Sequence, residues 1–80
     1  LIASTTFRDN MIKIFMSEVV KGNSSKYKAG EIAKVEKDKF YIATGNGFIS
    51  PTAIQFGSFF VGNAQDFIKI LAPKVGEVFK

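Results

Sequence analysis

The side chains that could do chemistry in this chain are few. Asp9, Glu31, Glu36, Asp38 and Glu77 could supply paired carboxylates for acid–base work, and Ser24, Ser25, Ser50 and Ser58 could supply a nucleophile. A catalytic carboxyl needs an apolar setting that raises its pKa. All five acids fall instead near turns or strand edges, where water keeps a carboxylate ordinary. A serine needs a base beside it, and the chain has no histidine; no lysine stands at a spacing that singles it out as a substitute. The absence of both His and Cys also removes the usual zinc ligands and the physiological-pH proton shuttle. The expectation is therefore no catalytic residue and no metal site, and a function in binding.

The residues suited to binding are basic. Net charge is +4, and the surplus is concentrated: Lys21, Lys26, Lys28, Lys34, Lys37 and Lys39 stand against only Glu31, Glu36 and Asp38 in the same stretch. Such a concentration attracts polyanions such as RNA, although a solvated lysine face would have the same composition. Tyr27, between Lys26 and Lys28, could stack on a base while its neighbours meet phosphates; equally, its ring could anchor the loop. Phe59-Phe60, adjacent and followed by Val61, reads as core packing or as a patch that docks on another domain, ahead of a stacking platform for a base, since exposed adjacent aromatics cost solubility.

These groups must be carried by short strands. Thr5–Phe7 reads as extended, Asp9-Asn10 as a turn, and Met11–Val20 as a long strand in which Ile12, Ile14 and Met16 share the buried face. The segment 21–28, KGNSSKYK, is expected to be a mobile polar loop. Strands follow over 31–36 and 40–44, joined by a tight reversal at Lys37-Asp38-Lys39. Gly45-Asn46-Gly47 predicts a hairpin with a type I′ turn. With strands on both sides, this Gly-x-Gly lacks the helix N-terminus that a phosphate-cradling loop requires.

The next strand, 48–56, contains Pro51. Proline cannot donate to a ladder, and Ile49 and Ile54 have opposite parity, so an edge position or a bulge is expected there. A loop over 57–62 leads to a helix capped by Asn63, with Asp66 in its first turn, Ala64, Phe67, Ile68 and Leu71 on one face, and Pro73 beyond its end. Val75–Phe79 reads as a last extended piece.

The order predicts a mainly β domain with one short helix. A small antiparallel Greek-key barrel, of the kind that binds oligonucleotides and oligosaccharides (OB-fold-like), fits best; a three-stranded meander with a helix on it fits nearly as well. Eighty residues make one domain, residues 1–80, and the lack of a starting methionine reads as a segment of a larger enzyme. No cysteine fits a reducing, cytoplasmic setting. No apolar run approaches a membrane span, and Leu1-Ile2-Ala3 is too short and uncharged for a secretion signal.

In order and spacing, Ala29-Gly30-Glu31-Ile32, Ala43-Thr44-Gly45-Asn46-Gly47, Ile54-Gln55 and Ala64-Gln65-Asp66-Phe67-Ile68, preceded by Phe7-Arg8-Asp9-Asn10-Met11-Ile12-Lys13-Ile14, resemble the carboxy-terminal domain of methionyl-tRNA formyltransferase. The resemblance covers nearly the whole chain. It implies a non-catalytic OB-type barrel that helps hold initiator tRNA by its phosphate backbone, through Arg8, Lys13, Lys26, Tyr27, Lys28, Lys34, Lys37 and Lys39. It also implies that 10-formyltetrahydrofolate and the catalytic residues belong to an amino-terminal domain outside this segment, against which Phe59 and Phe60 would dock. One departure stands out. Where that family carries basic residues after the glycine corresponding to Gly57, this chain has Ser58-Phe59-Phe60. The departure leaves room for an alternative, a structural or dimer-forming domain of a related formyltransferase acting on a sugar nucleotide or a folate.

Overall fold

The computed structural model describes residues 3–80. Leu1 and Ile2, part of the short apolar opening discussed above, lie outside the described residues. Six strands and one helix follow in the order β1 (Ala3–Phe7), β2 (Asn10–Val20), β3 (Ile32–Val35), β4 (Phe40–Thr44), β5 (Gly47–Phe56), β6 (Phe60–Asn63) and α1 (Ala64–Leu71). The sheet is antiparallel, with spatial order β1-β2-β5-β4-β3 and β6 added beside β5. The mainly β class with a single short helix is as expected from the sequence.

Three local differences have physical causes. The 57–62 loop is shorter than expected: Phe59 N–H bonds back to the Phe56 carbonyl at 3.1 Å, and Phe60–Asn63 returns as β6 against β5. The β4–β5 turn is not type I′, because its positive φ falls at Gly47 (101°) rather than at Asn46. Gly47 takes the left-handed position that follows a turn and begins β5 at once. Met16 leaves the core face, being 65% exposed, because the β2–β5 register slips on either side of it. The compensating slip on β5 lies next to Pro51, where a missing N–H does no harm. There β5 changes partner, from β4 at Phe48 and Ile49 to β6 from Ala53 onward.

The expectation of a closed barrel is corrected. The outermost strands β1 and β3 do not pair with each other. The C-terminal tail, residues 76–80, lies between them. On one side Ile32 N–H donates to Glu77 O (2.8 Å), Gly76 N–H to Ile32 O (2.9 Å) and Phe79 N–H to Gly30 O (2.7 Å); on the other, Lys80 N–H donates to Thr6 O (2.8 Å). Gly30 is required at this seam. Its φ is 92°, and a Cβ there would run into the Phe79 carbonyl oxygen.

The core lies on the inner face of the curved sheet, built from Phe7, Ile12, Ile14, Ile32, Phe40, Ile42, Ile54, Phe56 and Phe79 and covered by Ala64 and Phe67 of α1. Asn63 caps the helix by accepting the Asp66 N–H at 2.9 Å, as expected, and Ala72 ends it in the left-handed region. The exposed carbonyls at that end are met by Arg8. Its guanidinium donates to Leu71 O (2.8 Å) and Ala72 O (3.3 Å) and makes two further bonds, both 2.9 Å, to the Glu77 carboxylate. One side chain thus ties β1, α1 and the tail together.

Hydrogen bonding to Arg8 holds the Glu77 carboxyl below its ordinary value, against a smaller opposing effect of burial; the Lys74 N–H and its charge add to the lowering. A carboxyl lowered on folding stabilises the protein fully above its unfolded pKa, and that contribution is lost as pH falls through the folded value. Because both partners reach solvent, the contribution is small. E77Q should cost about 1 kcal/mol at neutral pH, with the gap to wild type closing toward about pH 2 in urea unfolding series. A gap that stays constant with pH would show that the ion pair does not stabilise this junction.

Candidate functional site

The 21–28 segment is better ordered than its composition implies. Ser24 is buried, and its Oγ donates to Thr44 O (2.8 Å) while accepting from Gly47 N–H (3.0 Å), so it fastens the loop to the base of the β4–β5 hairpin. A turn closed by Tyr27 N–H to Ser24 O (3.0 Å) then swings Tyr27 onto Phe48, where the rings meet edge-to-face at 5.8 Å. Phe48 also crowds Gly22, since a Cβ at Gly22 would come within 2.8 Å of its ring.

On the outer face of the sheet, Lys34 of β3 pairs in register with Tyr41 of β4. Glu36 joins the two: it accepts a bond from the Tyr41 hydroxyl (3.2 Å) and an ion pair from Lys34 Nζ (3.1 Å). The Lys34 bond first, and the Tyr41 bond next, hold the Glu36 carboxyl below its ordinary value. Between the Tyr27–Phe48 pair and the Lys34–Tyr41 pair runs an open cleft of about 400 Å³, lined by Val20, Lys21, Tyr27, Ala33, Lys34, Tyr41 and Phe48. Lys26 Nζ lies 5.7 Å from the Tyr27 ring centroid and Lys34 Nζ lies 6.0 Å from that of Tyr41. Three aromatic rings, all half-buried, and two lysines, Lys21 and Lys34, therefore line one concavity, with the Lys26 ammonium over the Tyr27 ring at its edge.

The residues singled out in the sequence divide accordingly. Tyr27 and Lys34 come together at the cleft, Lys26 lies over the Tyr27 ring, and Lys28 is on the same loop, its N–H bonded to Glu31 at 2.9 Å. Lys37 and Lys39 sit on the β3–β4 turn, with Lys39 Nζ 3.8 Å from Glu18. Lys13 is exposed on β2, opposite Gln55, roughly 20–25 Å along the strand from Val20. Arg8 stands at the β1–α1–tail junction with all three guanidinium nitrogens engaged. Lys21, Tyr41 and Phe48 belong to the cleft but not to the sequence-derived set. The alternation in β4 put Tyr41 opposite Phe40 and Ile42, on the outer face, and that was the available signal; which loop would cover it had none. Of the Phe59-Phe60 pair, Phe60 packs on Phe67 (6.0 Å) while Phe59 is 78% exposed.

The profile of the family described as "Formyl transferase, C-terminal domain" matches residues 2–71. The chain belongs to this family. The match spans every strand and the helix of the formyl transferase C-terminal domain, and the tail that completes its sheet follows immediately. Curated protein sequences give no match to the chain. Among the described residues no three His, Cys, Asp or Glu side chains gather as a metal site would need, and no helix is long and apolar enough to cross a membrane.

Ser24 is the residue on which the cleft's geometry rests. S24A leaves the Gly47 N–H and the Thr44 carbonyl without this partner and should cost about 1–3 kcal/mol. Amide hydrogen exchange at Gly47 and Tyr27 should accelerate together. Exchange at Tyr27 unchanged while Gly47 speeds up would show that the loop is held by other contacts.

Proposed function

We propose that this domain is the non-catalytic tRNA-holding part of a methionyl-tRNA formyltransferase, gripping the phosphate backbone without reading sequence. The observation that carries the proposal is electrostatic. Most of the basic surplus of the chain falls in residues 21–39, which form the 21–28 loop, β3 and the β3–β4 turn, and the ammonium groups of Lys21, Lys26 and Lys28 belong to none of the three ion pairs of the described residues. Family membership supports it, since a formyl transferase with a nucleic-acid substrate needs a surface of this charge. Formyl transfer from 10-formyltetrahydrofolate is the work of the catalytic domain, in the cytoplasm; this domain contributes residence and orientation of the tRNA.

A second reading draws on one observation. Phe59 and Val61, 78% and 75% exposed, stand on the rim of β6, far from the lysine cluster in sequence and on a different strand. An exposed aromatic beside a β-branched residue fits a docking contact with the catalytic domain or a second copy. It is the face that a related formyltransferase acting on a sugar nucleotide or folate would use. The two faces do not exclude each other.

Titration of the chain with tRNA by fluorescence anisotropy should give a Kd on the order of 10⁻⁴–10⁻⁶ M at moderate salt, with log K falling linearly in log salt. K26Q, K28Q, K34Q and K37Q should each lower that slope by about 1, whereas K13Q should lower it less. Binding indifferent to salt, or none at low ionic strength, would contradict the proposal.

A further inference from the structure

The lysine region is not merely a charged surface, because three aromatic rings line the cleft at its centre. We infer that this cleft takes an unpaired nucleotide of an RNA strand, its base among Tyr27, Tyr41 and Phe48 and its flanking phosphates on Lys21, Lys26 and Lys34. The inference rests on the RNA-holding reading and adds to it a preference for single-stranded over duplex RNA.

Four observations carry it. The cleft, at about 400 Å³, falls within the range of small-ligand sites. Its rings are half-buried rather than absorbed in the phenylalanine core, whose members are Phe7, Phe40, Phe56, Phe67 and Phe79. Their positions are set independently: Tyr27 by the Ser24 turn and the edge-to-face contact with Phe48, Tyr41 by its bond to Glu36. Finally, Lys21, just after β2, and Lys34 of β3 both line the cleft with the rings, and Lys26 stands over Tyr27. An apolar peptide would gain nothing from three ammonium groups, and an RNA duplex would present phosphates but no exposed base face to the rings. An unpaired nucleotide matches both sets of groups, because every base has a π-face and each carries a phosphate on either side. Among the described residues Glu36 is the carboxylate bonded to the cleft's side chains, paired with Lys34 and accepting from the Tyr41 hydroxyl, so a phosphate there must share Lys34 with it, while Lys21 and Lys26 have no ion-pair partner.

The test compares a single-stranded RNA oligonucleotide, a duplex of the same length and a free nucleoside monophosphate, each titrated against wild type, Y27L, Y41L, Y41F and K21Q. The single strand should bind wild type several-fold more tightly than the duplex, and the mononucleotide far more weakly than either. Y27L and Y41L should each weaken single-strand binding about 5- to 100-fold with the salt slope unchanged. Y41F, which keeps the ring but loses the bond to Glu36 that positions it, should fall between Y41L and wild type, and K21Q should lower the slope by about 1. Matched circular-dichroism melts identify a leucine variant that has unfolded; K21Q and Y41F then carry the comparison with folded protein. Leucine variants that bind the single strand as tightly as wild type would overturn the cleft while leaving salt-dependent tRNA holding intact. So would a preference for the duplex or tight binding of the mononucleotide. Absence of any RNA binding at low salt would overturn both.

Discussion

Phe79 lies 4.5 Å from Phe7 and 6.1 Å from Phe40, its ring nearly parallel to both, and Phe40 stacks in turn on Phe67 at 5.2 Å. This stack joins β1, β4, α1 and the tail across the centre of the molecule, and the backbone around it is bonded on both sides of the tail. An 80-residue chain has little core to share. Here much of it is phenylalanine, whose large buried area and edge or stacked contacts fasten several elements at once. The seam at Gly30 and the clamp of Arg8 on Glu77 are what allow Phe79 to reach that position.

The outer face follows from the inner one. Once Phe40 and Ile42 point inward, Tyr41 must point outward. Pairing with β3 then sets Lys34 beside it, and pairing with β5 sets Phe48 beside Ala43. The cleft is therefore the reverse side of the core, and its floor is as rigid as the sheet. Only its lip, the 21–28 loop, is made of residues with little apolar content, and Ser24 secures that lip by two hydrogen bonds. A rigid floor with a fastened aromatic lip is suited to holding a ligand in a fixed orientation, which is what the proposed tRNA-holding role requires.

Much of the architecture was legible because local chemistry and global fold agree. Asn63 as a cap, the β4–β5 hairpin and the irregularity at Pro51 are all consequences of short-range sterics and hydrogen bonding, which sequence expresses directly. What was not legible depends on distant partners. Met16 has the right parity for the core and is expelled by a register slip against β5. Ser24 sits in a polar run and is buried by a hairpin 20 residues away. Arg8 is basic like the lysines around it, yet its position beside a helix end and a carboxylate 69 residues on makes it a strut. Barrel closure was expected from strand number, and no pattern in 76–80 announces that the tail fills the gap between β1 and β3. For the candidate cleft, charge concentration drew attention to residues 21–39, of which Lys21, Tyr27 and Lys34 line it, while the convergence of Tyr41 and Phe48 with them required the pairing of three strands.

The central claim is that an RNA ligand meets the β3–β4–β5 outer face and its loop, and not the exposed apolar rim of β6. A ¹H–¹⁵N correlation spectrum recorded during a tRNA titration tests this most directly. The account predicts shifts confined to the amides of Lys21, Tyr27, Lys34, Tyr41 and Phe48 and their neighbours, with those of Phe59, Val61 and α1 unmoved. Shifts centred on Met11, Phe59 and Val61, or spread evenly over the molecule, would contradict it.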